Sequence, residues 1–397
     1  MGTVGVKIIK VVYPGKGLAR LDDGMVVFVR DVLPGEVVQA QITRQGKNYA
    51  EALPAAIVKP SPCRMEPVCP LASQCAGCCY QHAEYGEELR LKHQQLLDFL
   101  KPLAKENTPT VLPPLPSPRV LKYRNKLELH AAEHPYPVLG YIAHDNRTVL
   151  DIPLCPLARD EINGLLAQLR ADRGFMERLK PHQRITLRWT PDDGALWWVG
   201  RRPAVGGWLT ERSGLGKLHV PRGSFFQVNP EMQVALEECI RNRLEAIQPA
   251  AVVDAYCGVG VFGLLARLTG ITRVIGIDAD VEAIRAAAAN AARAGLDDVQ
   301  FLAGHAADGL RRTLRDLDMS STLVIVDPPR AGMEKAVRAI LAAARPAHVL
   351  YIACAPDTMV RDVKELAAAG YRVLSSQLVD MFPRTPYFES VTWLASE

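Results

Sequence analysis

The sequence predicts an α/β fold in which a seven-stranded parallel sheet, wound by helices, follows a small β-barrel and a central α+β domain. A chain of 397 residues exceeds the size at which one hydrophobic core stops growing. Short β-rich runs alternate with glycine turns in residues 3–58, a pattern typical of a small β-barrel. After residue 229, strand-like runs alternate with helical ones. We place the domains at 1–59, 60–220 and 221–397.

The first two regions contain runs that can be assigned one by one. GVKIIKVVYPGKG, GMVVFVRDVLPGEVVQAQITR and YAEALPAAIV predict barrel strands, whose lysines and arginines suit an RNA-binding face or an ordinary solvated one equally well. A helix is predicted over residues 84–100, which we expect to pack on the last domain, and a proline-rich connector over 109–118. KLELHAA, VLGYIAH, RITLRWT and ALWWVG, with a helix near 159–170, predict antiparallel strands of undetermined topology.

The third region begins with a helix-start signal, Asn229 followed by Pro230. Seven strand-like runs come after it: AVVD, RVIGID, VQFL, TLVIV, HVLYIA, YRVLSS and SVTWL. In wound sheets of this kind, ligands bind at the carboxyl ends of the strands. Functional residues are therefore sought directly after these runs.

Composition limits the functional classes. No uncharged apolar run reaches the roughly 18 residues of a membrane span, and the first 13 residues show no secretion signal. A cytoplasmic protein without a membrane segment is expected. The net charge of +4 permits a polyanionic partner without requiring one.

Cysteines concentrate in one short segment. Cys63, Cys69, Cys75, Cys78 and Cys79 lie within 17 residues. In a cytosolic protein such a group favours a metal site over disulfides. Spacing alone leaves structural zinc and an iron-sulfur cluster both open, since four thiolates satisfy either.

A glycine-rich turn predicts an adenosine-containing ligand. The run DAYCGVGVFG joins a strand to a helix, and Asp278 ends the next strand, where a carboxylate can accept hydrogen bonds from ribose hydroxyls. The GxGxxG spacing also fits a nicotinamide enzyme. Asp254 at the end of the first strand, and Asp327 with the rigid Pro328-Pro329 turn after the fourth, favour S-adenosylmethionine.

Two residues fit methylation at C5 of uracil. That carbon attacks a methylsulfonium only after a nucleophile has added at C6, a role suited to a thiolate. Cys354 follows the strand HVLYIA and precedes a new helix, whose N-terminal dipole should lower the thiol pKa. Glu389, in the only segment that could fold back over the crevice, would be the base that removes the C5 proton.

These motifs together resemble the RNA uracil-5-methyltransferase family over nearly the whole chain. FFQVNP, DAYCGVG, VDPPRAG, YIACAP and MFPRTPYFES match its motifs in order. The resemblance implies a TRAM barrel, a central domain with a [4Fe-4S] cluster, and a seven-stranded Rossmann-like class I methyltransferase domain. It implies S-adenosylmethionine contacts or nearby roles at Gln227, Tyr256, Asp278 and Asp327, a nucleophile at Cys354, and a base at Glu389. The implied cluster ligands are Cys69, Cys75, Cys78 and Cys155.

The chain departs from the family pattern at four places. Asp278 stands where many relatives have Glu, Ala355 replaces a common Asn or Asp, and Val261 and His305 occupy positions where Asn is frequent. Two other functions stay open: an amino-group methyltransferase that needs neither Cys354 nor Glu389, and a non-catalytic RNA-binding protein. We expect a monomer that methylates a specific uridine of structured RNA, ribosomal rather than transfer RNA.

Overall fold

The computed structural model describes residues 2–103, 109–133, 137–204 and 206–397. Within these residues the strands form sheets of six, five and eight strands and one two-stranded hairpin. None of the helices described is both long and apolar enough to cross a bilayer.

The first sheet is barrel-like. Its strands are β1 (Thr3–Lys7), β2 (Lys10–Val12), β3 (Lys16–Arg20), β4 (Val26–Val29), β5 (Val37–Gln45) and β6 (Tyr49–Lys59). They are ordered β1-β5-β6-β4-β3-β2, so the strands at the two ends of the sheet are consecutive in the chain. The sheet thereby wraps around a core of small and β-branched side chains that includes Val6, Val27 and Val38.

A long helix and a strand connect this barrel to the remainder. Helix α1 (Tyr85–Leu100) buries Leu96 and Leu100 in the hydrophobic cluster on one face of the eight-stranded sheet. The strand β7 (Thr110–Leu115) then pairs in parallel with the penultimate strand of the chain. Helix α1 therefore belongs to the core of the large sheet.

The central region is an antiparallel sheet covered by helices. Its elements are β8 (Lys126–Glu133), β9 (Pro137–Ile142), β10 (Val149–Asp151), α2 (Asp160–Ala171), α3 (Arg173–Arg178), β11 (Arg184–Thr190) and β12 (Gly194–Val199), with the sheet order β10-β9-β8-β11-β12. A hairpin follows, formed by β13 (Trp208–Ser213) and β14 (Gly216–Pro221). Ile162 and Leu166 of α2 pack on Leu127 and Leu187 of the sheet.

The C-terminal region is the wound sheet. Its elements are α4 (Pro230–Ile247), β15 (Ala251–Ala255), α5 (Val261–Leu268), β16 (Arg273–Asp278), α6 (Val281–Arg293), β17 (Gln300–Ala303), α7 (Ala306–Thr313), β18 (Thr322–Val326), α8 (Lys335–Ala344), β19 (His348–Ala353), α9 (Pro356–Ala368), β20 (Tyr371–Val379) and β21 (Glu389–Ser396). Helix α4 begins as predicted, because the Asn229 side chain accepts a hydrogen bond of 3.3 Å from the Met232 N–H and Pro230 occupies the first turn.

All seven strands predicted for this region form, but the sheet differs from the prediction in two respects. Its order is β17-β16-β15-β18-β19-β21-β20-β7, and β21 runs antiparallel to both of its neighbours. The prediction of a connector is wrong for residues 110–115, which supply an eighth strand. This strand tolerates Pro113 and Pro114 because it lies at the sheet edge, where the missing N–H donors break no ladder.

Side chains of the central strands alternate between two hydrophobic layers. Val252 belongs to one cluster and Val253 to the other, and the same division holds for Leu323 and Val324. Because β15, β16, β17, β18 and β19 are parallel, their carboxyl ends meet at one edge of the sheet. This edge carries the candidate site.

Candidate active site

The glycine turn after β15 has a backbone that only glycine adopts without strain. Gly258 and Gly260 have φ values of +53° and +88°, and Tyr256 just before them has +66°. A Cβ on Gly260 would lie 2.8 Å from the ring of Phe301. The turn is thereby packed against β17, two strands away from β15 in the sheet, with its N–H groups at the strand ends.

Two carboxylates fasten this turn. Asp254 is fully buried, and its Oδ2 accepts a 2.9 Å hydrogen bond from the Gly263 N–H, so it fixes the start of α5. Asp278 accepts a 2.8 Å hydrogen bond from the Gly258 N–H and another of 2.7 Å from the Asp280 N–H. Asp278 is therefore joined directly to the glycine turn, as its place at the next strand end predicts.

The other residues that the sequence predicts near the cofactor share one crevice. Gln227, Tyr256 and Asp327 line a cavity of about 50 Å³ together with the glycine turn. The Oε1 atom of Gln227 is buried without a hydrogen-bond partner in the described structure. An unpaired buried acceptor is costly, so this amide is suited to receive a donor from a ligand.

Burial raises the pKa of Asp327 to about 7, and the negative charge of Asp278 contributes to the same shift. Two carboxyl groups close to each other favour a cationic or hydrogen-bond-donating ligand beside them. The crevice is thus acidic on the side where β16 and β18 end.

The register of β19 and β21 brings Cys354 and Glu389 together. His348 pairs with Ala395 and Ala353 with Ser390. Continuing this register by one residue sets Cys354 opposite Glu389, and directly opposed residues of antiparallel strands have Cβ atoms about 5 Å apart. Two residues separated by 35 positions along the chain thus face each other at the sheet edge.

Both groups of this pair favour their protonated forms. Burial, then the charge of Glu389, raises the pKa of the Cys354 thiol to about 12, whereas Arg330 lowers it. The prediction of a lowered thiol pKa from the helix dipole is therefore wrong, because desolvation outweighs that dipole. Burial also raises the pKa of Glu389 well above its usual range, and its Oε2 has no hydrogen-bond partner among the described residues.

Arg330 is a site residue that sequence reasoning missed. Its guanidinium lies 3.9 Å from the centre of the Tyr387 ring, a cation–π contact. The charge of Arg330 lowers the pKa of both Cys354 and Glu389. The sequence signal that could have identified Arg330 as a site residue was its position in VDPPRAG, three residues after Asp327.

A buried ionic network fixes the loop that leads to Glu389. Lys92 of α1 makes 2.8 Å ion pairs with Glu88 and with Asp380. The N–H of Arg384 donates a 2.6 Å hydrogen bond to Glu88, and its guanidinium donates one of 2.6 Å to the Ala83 carbonyl. The loop before β21 is therefore anchored to helix α1, which precedes the C-terminal region in the chain by more than 100 residues.

Four cysteines converge on a separate cavity. Cys69, Cys75, Cys78 and Cys155 line a space of about 70 Å³. Burial raises the pKa of Cys75, Cys78 and Cys155, and the neighbouring thiols raise each of them further. Across the described ranges, no group of three His, Cys, Asp or Glu side chains is arranged to hold a single metal ion.

The backbone around this cavity is held by amide side chains. Gln81 donates a 3.3 Å hydrogen bond to Cys78 Sγ, and the Asn163 side chain bonds both the N–H and the carbonyl of Cys155 at 3.0 Å. Cys63 and Cys79 pack instead in a small hydrophobic cluster around Tyr80 and Leu91. Among the described cysteines, Cys69, Cys75, Cys78 and Cys155 line the cavity, and Cys63 and Cys79 do not.

Comparison with known proteins identifies the family. The model of the tRNA (uracil-5-)-methyltransferase family matches residues 217–397, and that of the TRAM domain matches residues 3–54. The 23S rRNA (uracil(1939)-C(5))-methyltransferase RlmD of Acidithiobacillus ferrooxidans is 30% identical, over 95% of this chain and 94% of its own. The chain belongs to the RNA uracil-5-methyltransferase family.

Further matches agree with this assignment. An uncharacterized RNA methyltransferase of Gloeobacter violaceus is 30% identical over 99% of this enzyme and 96% of its own chain. The solved structure of a Pyrococcus abyssi tRNA (uracil-54, C5)-methyltransferase in complex with S-adenosyl-L-homocysteine superposes with a TM-score of 0.72, covering 98% of this chain and 99% of that one at 22% identity. The enzyme has the class I methyltransferase fold with a barrel-like N-terminal sheet, and the predicted family is confirmed.

Proposed function

We propose that the enzyme transfers a methyl group from S-adenosylmethionine to C5 of a uridine in structured RNA, with Cys354 as nucleophile and Glu389 as base. The observation that carries this proposal is the opposition of these two residues at the end of the β19–β21 ladder. A nucleophile for C6 and a base for the proton on C5 must reach adjacent atoms of one ring. Opposed residues on neighbouring strands satisfy that requirement.

The reaction follows from the chemistry of these side chains. The Cys354 thiolate adds to C6, and the electron pair of the C5–C6 double bond moves towards O4 to give an enolate. S-adenosylmethionine supplies the methyl group, which C5 takes as the sulfonium becomes a neutral thioether. Glu389 then removes the C5 proton, and the double bond reforms as the bond between C6 and sulfur breaks.

Arg330 supplies the positive charge that stabilises the Cys354 thiolate. Because burial and Glu389 raise the pKa of Cys354 to about 12, a nearby cation must stabilise the thiolate. The guanidinium of Arg330 opposes that shift and also lowers the pKa of Glu389. A single cation thus favours the charged form of both reacting groups.

Gln227, Tyr256, Asp278 and Asp327 are proposed to hold S-adenosylmethionine. The unpaired Oε1 of Gln227 and the acidic side of the crevice suit a ligand that carries a positive sulfonium. The methyltransferase fold and the S-adenosyl-L-homocysteine in the Pyrococcus abyssi structure support this. A cavity of about 300 Å³ beside the ends of β16 and β17, lined by His305, would receive the adenine.

Cys69, Cys75, Cys78 and Cys155 are proposed as ligands of a [4Fe-4S] cluster. Tetrahedral zinc, with bonds of about 2.3 Å, would draw the sulfurs to within about 4 Å of each other. The four thiols line one space of about 70 Å³, which leaves room for a group larger than a single ion. A cluster held there would act as a structural cross-link between two segments of the central region.

The substrate and organisation are proposed from the relatives. The likeness to the RlmD enzyme favours ribosomal over transfer RNA, with the barrel and central region holding the RNA. We propose domains at 1–59, 60–220 and 221–397, with α1 and β7 of the middle segment packed into the large sheet, a monomeric state and a cytoplasmic location. Mapping 5-methyluridine in ribosomal and transfer RNA from cells with and without the gene tests the substrate; loss of the modification from transfer RNA alone would contradict it.

Replacing the nucleophile tests the mechanism. Cys354→Ala removes the proposed nucleophile that activates C5, so 5-methyluridine formation should fall below detection while binding of S-adenosylhomocysteine persists. Tritium release from C5-labelled RNA measures the first and calorimetry the second. Cys239→Ala, at a buried cysteine of α4, is the matched control and should remain active. Methylation by Cys354→Ala would overturn the covalent mechanism and favour an amine target.

A further inference from the structure

Tyr13 of the barrel lies against the catalytic sheet. It occupies the turn between β2 and β3, and its ring makes edge contacts with Phe99 at 5.7 Å and with Phe388 at 6.4 Å between ring centres. Phe388 directly precedes Glu389. The barrel therefore reaches the residue next to the proposed base.

Tyr13 also faces the groups that surround the thiol. Burial raises the pKa of Tyr13, the charges of Asp357, Tyr387 and Cys354 raise it further, and that of Arg330 lowers it, so the charges of this site act on the Tyr13 hydroxyl. The phenol remains protonated at neutral pH. Its side chain is only half-buried, and its hydroxyl makes no hydrogen bond within the described structure.

The turn that bears Tyr13 is held in place on both sides. Lys10 forms a 2.9 Å ion pair with Asp98 of α1. A Cβ on Gly15 would lie 2.5 Å from Cys79 Sγ, so the turn is pressed against the cysteine segment. The Cys79 N–H in turn donates a 2.9 Å hydrogen bond to the Arg384 carbonyl, in the loop that leads to Glu389. Tyr13 is thus fixed relative to the site rather than displayed on a free surface.

We propose that Tyr13 is a substrate-positioning residue whose ring contacts the target uridine when its C6 reaches Cys354. The inference rests on the proposed function, since addition of the thiol requires the base to lie beside Cys354 and Glu389, and the Tyr13 ring contacts Phe388 next to Glu389. Enzymes that modify a base extrude it from the stack and hold it between aromatic and apolar side chains. Tyr13 is an aromatic side chain of that kind, contributed by a domain outside the catalytic fold.

This assignment gives the barrel a second role beyond general RNA affinity. A barrel that only binds the RNA backbone changes the dissociation constant and leaves the chemical step untouched. A ring that contacts the target base changes the rate of that step even when all RNA is bound. The two roles are separable by experiment.

The test compares Tyr13→Ala and Tyr13→Phe with Tyr49→Ala, a barrel residue that pairs with Phe28 and is 37% exposed. Single-turnover methylation is measured with enzyme saturating over RNA, alongside S-adenosylhomocysteine affinity. Loss of a base–aromatic contact should slow Tyr13→Ala about 10- to 100-fold. Tyr13→Phe keeps the ring and should stay near wild type, as should Tyr49→Ala, with S-adenosylhomocysteine affinity unchanged in all three.

Trapping with RNA that carries 5-fluorouridine separates the possible failures. Wild type should form a stable covalent adduct, because fluorine cannot leave C5 as a proton does, and Tyr13→Ala should form it more slowly by the same factor. If wild type forms no adduct, the proposed covalent mechanism fails. If adduct forms at equal rates in wild type and Tyr13→Ala, or if Tyr49→Ala is equally slow, the assignment of Tyr13 is overturned. A Tyr13→Phe variant as slow as Tyr13→Ala would also contradict the ring contact.

Discussion

Glu389 illustrates how burial prepares a single carboxyl group for proton transfer. A carboxylate at its ordinary pKa is a weak base towards carbon, whereas desolvation raises its proton affinity. Glu389 is 3% exposed, and Arg330 keeps part of its charge available by opposing the effect of burial. In the proposed mechanism, this raised proton affinity favours transfer of the C5 proton to Glu389.

Removing this base should stop the reaction after methylation. In Glu389→Gln the C5 proton has no acceptor, so the bond between C6 and Cys354 cannot break and enzyme–RNA adduct accumulates. Denaturing electrophoresis with labelled RNA measures the adduct. Glu365→Gln, at a half-exposed carboxylate on α9 paired with Arg338, is the matched control. Normal turnover by Glu389→Gln without adduct would remove Glu389 from the mechanism.

At the level of elements, helix α1 stabilises a loop of another region through buried charge. Lys92, Glu88 and Asp380 have no exposed side-chain surface. Burial raises the pKa of Glu88, and the charge of Lys92 opposes that shift. Removing one partner from such a group leaves the others buried without compensation.

Lys92→Met should therefore destabilise the protein by about 3–5 kcal/mol. Arg90→Met, on the same helix, removes only an exposed ion pair with Glu87 and should cost less than about 1 kcal/mol. Chemical denaturation followed by fluorescence measures both, and methylation assayed below the transition shows whether Glu389 is still positioned. Equal stability of the two variants would mean that the buried charges contribute nothing.

Sequence patterns predicted the helices and strands that have regular periodicity. They missed the strand and the side-chain contacts that depend on residues distant in the chain. The seven strands of the wound sheet, α1 and the start of α4 carry local signals. Residues 110–115 carry no such signal, because two consecutive prolines indicate a connector unless it is known that the segment lies at a sheet edge. The family motifs named Cys354 and Glu389, but their opposition depends on β21 running antiparallel, which strand patterns do not encode. The contacts of Tyr13 with Phe99 and Phe388 come from tertiary packing and have no local sequence signal.

At the scale of the whole molecule, the four-cysteine cavity joins two distant segments of the central region. Cys155 comes from the loop before α2, and the other three thiols precede α1. A group bound there cross-links chain parts that otherwise meet through few elements. Its loss should loosen the segment from which Cys79 contacts Arg384.

Protein purified without oxygen should contain about four iron and four acid-labile sulfide atoms per chain and absorb broadly in the visible range. Cys155→Ser should lose both iron and colour, because one of four ligands is absent. Cys63→Ser, whose thiol packs in the hydrophobic cluster around Tyr80, is the control and should keep them. One zinc per chain and a colourless wild-type protein would exclude the cluster.

The strand β7 has a consequence for how the chain is made. It pairs in parallel with β20, which follows about 250 residues later, so at roughly 5–20 residues per second the ribosome delivers the partner only after some ten to fifty seconds. During that wait an unpaired strand is a template for wrong association. Pro113 and Pro114 leave this segment two N–H donors short, which makes it a poorer template for such association while its partner strand is still missing.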